Sequence, residues 1–463
     1  MTLIKSISGI RGTIGGKTSD NLTPIDTVKF ASAYGTFIKN RNPNKEKITV
    51  VIGRDARISG KMISSLVANT LVGLGINVID LGLSTTPTVE VAVPMENADG
   101  GIILTASHNP KQWNALKLLN EKGEFLNGED GEVILKTAES DDFDFADVDD
   151  LGTYSKDKTY LEKHIQEVLN LELVDVEAIR NANFKVVVDG VNSTGGIFIP
   201  ALLKELNVAC IELYCEPNGN FPHNPEPLKE HLTDISELVV KEQADFGIVV
   251  DPDVDRLALI CEDGSMFGEE YTLVACADYV LGRLGGGNTV SNLSSSRALR
   301  DVTQKHGGTY TASAVGEVNV VIKMKETNTV IGGEGNGGII YPASHYGRDS
   351  LVGVALFLSH LARIKMSCKA LRESYPSYFM SKNKIQLTPQ INVDQILETM
   401  ATKYANEDVN TIDGVKIDFE NEWIHLRKSN TEPIIRIYTE SNSQVNADAL
   451  AERFISEIKE IIA

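Results

Sequence analysis

The 463-residue chain has little cysteine, few aromatic residues and a deficit of positive charge. Its five cysteines, Cys210, Cys215, Cys261, Cys276 and Cys368, are odd in number and form no Cys-x-x-Cys. That argues against a disulfide framework or a zinc site built on thiolates, and they read as buried thiols. With 44 basic against 64 acidic side chains, the formal charge of −20 speaks against a chain that neutralises nucleic-acid phosphates. Any anionic ligand must then be held by local cations. The apolar runs, such as Gly101-Ile102-Ile103-Leu104, are short and broken by glycine or charge, far from the ~20 residues of a membrane span. The start, Met1-Thr2-Leu3-Ile4-Lys5-Ser6, lacks the apolar core and cleavage site of a signal peptide, so the cytoplasm is the expected compartment.

What the chain does have is alternation. Length alone predicts about three domains, but the pattern predicts four. Ile48 to Ile52 reads as a buried strand, Lys61 to Leu74 as a helix with Met62, Leu66, Val67, Leu71 and Leu74 on one face, and Asn77 to Leu81 and Gly101 to Leu104 as further strands. An acidic stretch, Glu139 to Asp150, reads as a solvated linker. The same α/β grammar returns from Phe184 to Val250 and again from Thr289 to Ile364. After Pro376 it changes to two strands, Trp423 to Leu426 and Ile434 to Tyr438, and a helix aligning Leu450, Phe454, Ile458 and Ile461. The expected fold class is α/β, with three similar mixed α/β domains (1–150, 151–260, 261–370) and a smaller α+β C-terminal domain (371–463).

Four loops carry chemistry-bearing residues. Asp251-Pro252-Asp253-Val254-Asp255-Arg256 follows an apolar strand, and carboxylates at alternate positions suit a hard divalent cation. An EF-hand fails there, because Arg256 stands where the turn needs glycine. Thr105-Ala106-Ser107-His108-Asn109-Pro110 puts a hydroxyl and an imidazole at a strand's C-terminal end, where α/β sheets bind ligands; an ordinary turn is the competing reading. Arg427-Lys428-Ser429-Asn430-Thr431-Glu432-Pro433, with Arg436 beyond it, has the donors to grip a phosphate dianion or is a basic hairpin turn. Gly332-Gly333-Glu334-Gly335-Asn336-Gly337-Gly338 contains Gly-x-Gly-x-x-Gly, but a strand follows where a dinucleotide site needs a helix. Glu334 and Asn336 remain as readers of hydroxyls. Gly12 to Thr18 is spaced wrongly for a P-loop, so ATP is not implied.

In this order, and together with Ser6 to Gly12 and Gly53-Arg54-Asp55-Ala56-Arg57, these loops resemble the α-D-phosphohexomutase superfamily over essentially the whole chain. The resemblance implies four domains around a central cleft and a phosphoserine at Ser107. It also implies Mg²⁺ held by Asp251, Asp253, Asp255 and a phosphoserine oxygen, and a bisphosphorylated sugar as intermediate. Arg11 and His108 would lie near the phosphoserine, Lys117 would match the general acid/base lysine, Arg256 would follow the metal aspartates, and Glu334 would read the sugar. Pro252 and Val254 depart from the small residues of many relatives, Asn336 stands for a common serine, and Glu317 for a frequent histidine. With His345-Tyr346-Gly347-Arg348-Asp349, the chain looks most like archaeal-type phosphoglucosamine mutases.

The expected activity is movement of phosphate between the C6 and C1 oxygens of a hexose or hexosamine phosphate, glucosamine phosphate first and mannose or glucose phosphates as the alternative. Ser107, His108, Lys117, Arg11 and Arg256 would be catalytic, with Glu334, Asn336, Arg427, Ser429, Asn430, Thr431 and Arg436 binding substrate. A metal-dependent phosphatase and a non-catalytic sugar-phosphate binder are the rivals. Two separate phosphate-handling loops speak against the first, and the retention of Ser107, the aspartates and Lys117 against the second. Neither nucleic acid nor membrane is an expected partner.

Overall fold

The computed structural model describes residues 2–6, 9–387, 391–428 and 434–462. Its first sheet has seven strands in the order Ile4–Ser6, Gly9–Thr13, Trp113–Leu119, Gly100–Leu104, Ile48–Arg54, Ile76–Leu83 and Tyr154–Lys156. The last four run parallel, while Trp113–Leu119 lies antiparallel beside Gly100–Leu104. Val50, Val51 and Ile52 are all fully buried, which is why this strand reads as an unbroken apolar run: helices cover both faces of a parallel sheet. Helix Gly60–Gly73 buries Ile63, Val67, Ala68 and Leu71. Its inward face is therefore rotated from the expected one, and Met62 is exposed.

The acidic stretch before residue 150 is not a free linker. Helix Gly128–Ser140 takes its beginning. Ala146 and Gly152 then donate backbone bonds to the carbonyls of Gly73 and Val72, both at 2.9 Å, and Tyr154–Lys156 pairs with Ile76–Leu83. The first domain thus runs past 150 to Lys156.

The second sheet orders Leu257–Cys261, Phe246–Val250, Lys185–Asp189 and Ala209–Leu213; the third orders Tyr310–Ser313, Asn288–Asn292, Thr329–Glu334 and Gly338–Ile340. Each ends in an antiparallel hairpin strand. A division at 260/261 would cut strand Leu257–Cys261, and one at 370/371 would cut helix Cys368–Glu373. One continuous apolar core, from Ile165 to Tyr375, serves both domains. The C-terminal domain is a five-stranded antiparallel sheet, in the order Phe379–Gln386, Ile434–Ser441, Trp423–Lys428, Val415–Asp418 and Asp408–Asn410. Helices Val393–Lys403 and Gln444–Ile462 accompany it, and its core contains Leu450, Phe454 and Ile458. Ile461 is partly exposed. No helix among the described residues is long and apolar enough to cross a membrane.

Candidate active site

Three strand ends from the first three domains meet at one place. Ser107 follows strand Gly100–Leu104 in a left-handed conformation, φ 48°. Its amide bonds Thr105 Oγ1 at 2.9 Å, and its Oγ donates to Asp251 Oδ2 at 2.8 Å and lies 3.3 Å from His108 Nδ1. Ser107 and the metal loop are therefore in contact, although 144 residues separate Ser107 from Asp251.

The loop is held from below by Arg57, whose side chain is fully buried. Its two terminal nitrogens donate to the carbonyls of Ser107, Asn109, Pro110 and Trp113, and its Nε to Asp55 Oδ2 at 2.9 Å. Thr105 Oγ1 donates to the same carboxylate oxygen at 2.7 Å. A guanidinium has the five donors in a fixed fork that such a loop needs. The Gly53 to Arg57 motif is visible in the sequence, but this role is not, because four of its partners are backbone carbonyls about 50 residues away.

Asp251, Asp253 and Asp255 are fully buried, and an oxygen from each lies within 4.8 Å of the others. Pro252 is pinned through its carbonyl by Ser193 and Thr194 hydroxyls at 2.7 and 2.8 Å. Val254, fully buried, takes φ 65°, a costly conformation for a β-branched residue. Burial and the two neighbouring carboxylates push Asp251 well above the ordinary carboxylate range. Burial acts the same way on Asp253, but Lys117 and hydrogen bonds from its neighbours, Thr86 among them, outweigh it and hold that group low. Lys117 Nζ reaches Asp253 Oδ2 at 2.7 Å and Asp255 Oδ2 at 3.2 Å. Asp253 Oδ1 and Asp255 Oδ1 are buried with no hydrogen-bond partner among the described residues. Crowded carboxylates with orphaned oxygens are the donor set of a hard divalent cation, so the residues fit magnesium.

Lys117 stands on strand Trp113–Leu119, opposite Ile103 of the strand that leads to Ser107. Arg11 enters from the other side, opposite Ala115. Its guanidinium Nε is buried with no hydrogen-bond partner among the described residues, and burial together with the nearby Arg256 lowers its affinity for a proton. Arg256 donates to Glu226 Oε1 at 3.2 Å, and its Nε, 4.0 Å from Asp255 Oδ1, has no hydrogen-bond partner among the described residues. Two neighbouring guanidinium groups with free N–H donors make a place for an anion. Against carboxylates that bind Lys117 as an ammonium, raising its proton affinity despite burial, His108 goes the other way. Burial and then Arg256 push it down to about 2, so it is neutral.

The third domain joins through Arg348. One buried guanidinium donates to Asp255 Oδ2 at 2.6 Å, to Glu317 Oε2 at 3.0 Å and to Glu334 Oε2 at 3.1 Å. Asn292 holds the other Glu334 oxygen at 3.0 Å. Asn336 lies 3.5 Å from Glu334 Oε2 and caps the Gly338 amide at 3.2 Å. The sequence shows Arg348 only as part of a segment; as the hub of three carboxylates from separate loops it could not be read there.

The C-terminal domain adds Arg427, paired with Asp413 Oδ2 at 2.8 Å. The same oxygen accepts the Val315 amide at 2.9 Å, two residues before Glu317. Arg436 is exposed and directly opposite Arg427 in the sheet, a like-charge pair that an anion would relieve. Among the described residues, no hydrogen bond or ion pair joins either arginine to the Ser107 or aspartate loops. Ser429, Asn430 and Thr431 lie outside the described residues.

Three α/β domains that bring together a serine, three aspartates and a carboxylate-bearing glycine loop, followed by an antiparallel C-terminal domain, define a phosphohexomutase, an isomerase. Comparison with known proteins agrees. The descriptions of phosphoglucomutase/phosphomannomutase alpha/beta/alpha domains I, II and III and C-terminal domain match residues 3–145, 160–264, 268–378 and 384–457. A phosphoglucomutase/phosphomannomutase of Thermococcus kodakarensis is 35% identical, over 97% of this chain and 98% of its own. A phosphoglucosamine/phosphogalactosamine mutase of Sulfurisphaera tokodaii is 30% identical, over 98% of each. The crystal structure of a phosphoglucomutase/phosphomannomutase family protein from Burkholderia thailandensis superposes with a TM-score of 0.85 at 25% identity, over 99% of this chain and 98% of that one. The chain belongs to the phosphoglucomutase/phosphomannomutase family, whose members are magnesium-dependent phosphomutases.

Proposed function

We propose that the chain interconverts the 6-phosphate and 1-phosphate of glucosamine through a phosphoserine at Ser107. The observation that carries the choice of sugar is the Arg348 network. Glu317 and Glu334 bring two carboxylates to one guanidinium, beyond the Asp255 that Lys117 and the magnesium site share; this surplus of negative charge suits the ammonium at C2 of glucosamine and gains less from the neutral hydroxyls of glucose or mannose. The Sulfurisphaera relative, named for amino-sugar phosphates, supports this reading; the name of the Thermococcus relative supports the alternative of glucose and mannose phosphates.

Magnesium, held by Asp251, Asp253, Asp255 and an oxygen on Ser107, would supply positive charge against the phosphoryl group in transfer. Arg11 and Arg256, both close to His108, offset charge on the transferring phosphoryl group. As a sugar hydroxyl attacks, the bond from phosphorus to Ser107 Oγ breaks and one to the sugar oxygen forms. The hydroxyl proton passes to the protein. Lys117 or His108, the two titratable groups beside Ser107 and the aspartates, moves that proton. The resulting bisphosphate turns, and Ser107 recovers a phosphoryl group from its other end. Arg427 and Arg436, with Ser429, Asn430 and Thr431, grip the phosphate that is not reacting.

The test is kcat/KM for glucosamine, galactosamine, glucose and mannose phosphates, with peptide mapping of the phosphorylated residue. Glucosamine phosphate should lead by about tenfold or more, equivalent to about 1.4 kcal/mol. A tenfold lead for glucose or mannose phosphate would overturn the sugar assignment. Full activity in Ser107→Ala would overturn the mechanism, and steady release of inorganic phosphate would mark a phosphatase.

A further inference from the structure

Behind Arg348 lies a second cluster that the phosphomutase chemistry does not use. His164, on helix Tyr160–Leu169, directs Nε2 at Asp349 Oδ2, 2.9 Å away. His345 directs its own Nε2 at the same oxygen, 3.2 Å away. The outer nitrogens face other groups. His164 Nδ1 is 2.8 Å from Thr88 Oγ1, and His345 Nδ1 is 3.5 Å from Glu90 Oε2. Asp349 is fixed as the cap of helix Ser350–Ile364, its Oδ1 accepting the amides of Leu351 and Val352.

Two imidazole nitrogens and one carboxylate oxygen, all within 4.8 Å of one another, form the donor set of a transition-metal dication. The spacing suits one: a tetrahedron with bonds of about 2.0–2.1 Å has edges of roughly 3.3 Å. Thr88 at His164 Nδ1 and Glu90 near His345 Nδ1 are the kinds of outer group that orient a metal-bound histidine. An independent sign is Glu90. Its side chain is 1% exposed, and neither carboxylate oxygen has a hydrogen-bond partner among the described residues; His345 Nδ1 has none either. A sealed carboxylate in that state is costly. A dication in the cluster would offset the charges of Asp349 and Glu90 and polarise the His345 N–H toward Glu90.

We propose that His164, His345 and Asp349 bind one zinc-class dication, with Glu90 and Thr88 orienting the imidazoles and water in the fourth position. Magnesium does not fit, since it prefers oxygen ligands. The ion would tie helix Thr86–Met95 of the first domain, helix Tyr160–Leu169 of the second and the loop entering helix Ser350–Ile364 of the third. Through Asp349 it would also fix its neighbour Arg348.

The test uses the full-length chain, stripped with chelator and given stoichiometric Zn²⁺ in a buffer rich in Mg²⁺, then desalted and assayed for metal. The wild type and Asp253→Asn should each retain one zinc per chain. His345→Ala, checked for folding by circular dichroism, should bind at least about tenfold more weakly. Co²⁺ in place of zinc should give the intense visible bands of four-coordinate cobalt in the wild type itself, whatever the fate of the variant. No retained zinc in the wild type, equal retention in His345→Ala, loss confined to Asp253→Asn, or the weak bands of six-coordinate cobalt would each overturn the proposal.

Discussion

Asp253 shows how one carboxylate is divided between two tasks. Its Oδ2 takes Lys117 and Thr86, while its Oδ1 is buried with no hydrogen-bond partner among the described residues. Asp253→Asn keeps the shape but sets a neutral amide among groups arranged for an anion. Turnover should fall on the order of 10²-fold or more, since several kcal/mol of charge stabilisation are at stake and each 1.4 kcal/mol is about tenfold. The Mg²⁺ concentration needed for half-maximal rate should rise, and the far-ultraviolet circular dichroism should not change. Rate against Mg²⁺ concentration decides the matter; a wild-type curve would refute the assignment. Alternating aspartates after an apolar strand point to a cation by their type and spacing, whereas Ser107 stands out from an ordinary turn only through the resemblance of the ordered loops to a family. Arg348 was not legible in the sequence, because its meaning lies in partners 14, 31 and 93 residues away.

At the scale of elements, the Ser107 loop has its shape because Arg57 reads its carbonyls. Lysine at this position would keep the charge and lose the fork. Arg57→Lys should leave at least one buried carbonyl unbonded, at about 1–3 kcal/mol. Because Arg57 stands behind the loop, kcat should drop while KM changes little. Steady-state kinetics and the rate of Ser107 phosphorylation measure this, and an unchanged kcat would count against the loop's dependence on Arg57. Strands with both faces buried were readable as apolar runs, and those are the ones that deliver Ser107 and Asp251. Edge strands such as Phe379–Gln386, largely polar and half-exposed, carry no such run, so two of five C-terminal strands were evident. The helix Gly60–Gly73 was evident but its face was not. Ile63 and Met62 are both apolar, and only the neighbouring sheet decides which is covered.

Across the whole molecule, the C-terminal domain meets the third domain at His425. Its Nε2 donates to the Asp413 carbonyl at 2.6 Å, and its Nδ1 lies 2.9 Å from Ser294 Oγ. A carbonyl can only accept, so Nε2 carries a proton, and this bond by itself favours the charged ring. Burial is the main cause that pushes His425 down to about 4, below the roughly 6.5 of an unfolded chain. The unfolded state therefore takes up the proton first as pH falls. Stability is intact above about 6.5 and declines toward pH 4, by at most about 3 kcal/mol from this group. Denaturant unfolding at about pH 7 and about pH 4.5 should show the decline in the wild type and a smaller one in His425→Gln. Equal declines would assign the effect to other groups.

The apolar core that runs unbroken from Ile165 to Tyr375 means that domains and cooperative blocks are not the same count. The largest interior is held in common by the middle two domains, which are therefore expected to melt, and be inherited, together. A chimera that took the third domain alone from a relative would join half of one interior to half of another, with mismatched volumes at every shared contact. New sugar preferences would pass between members more easily by moving the two middle domains as a single cassette, the metal loop travelling with the glutamate loop it faces.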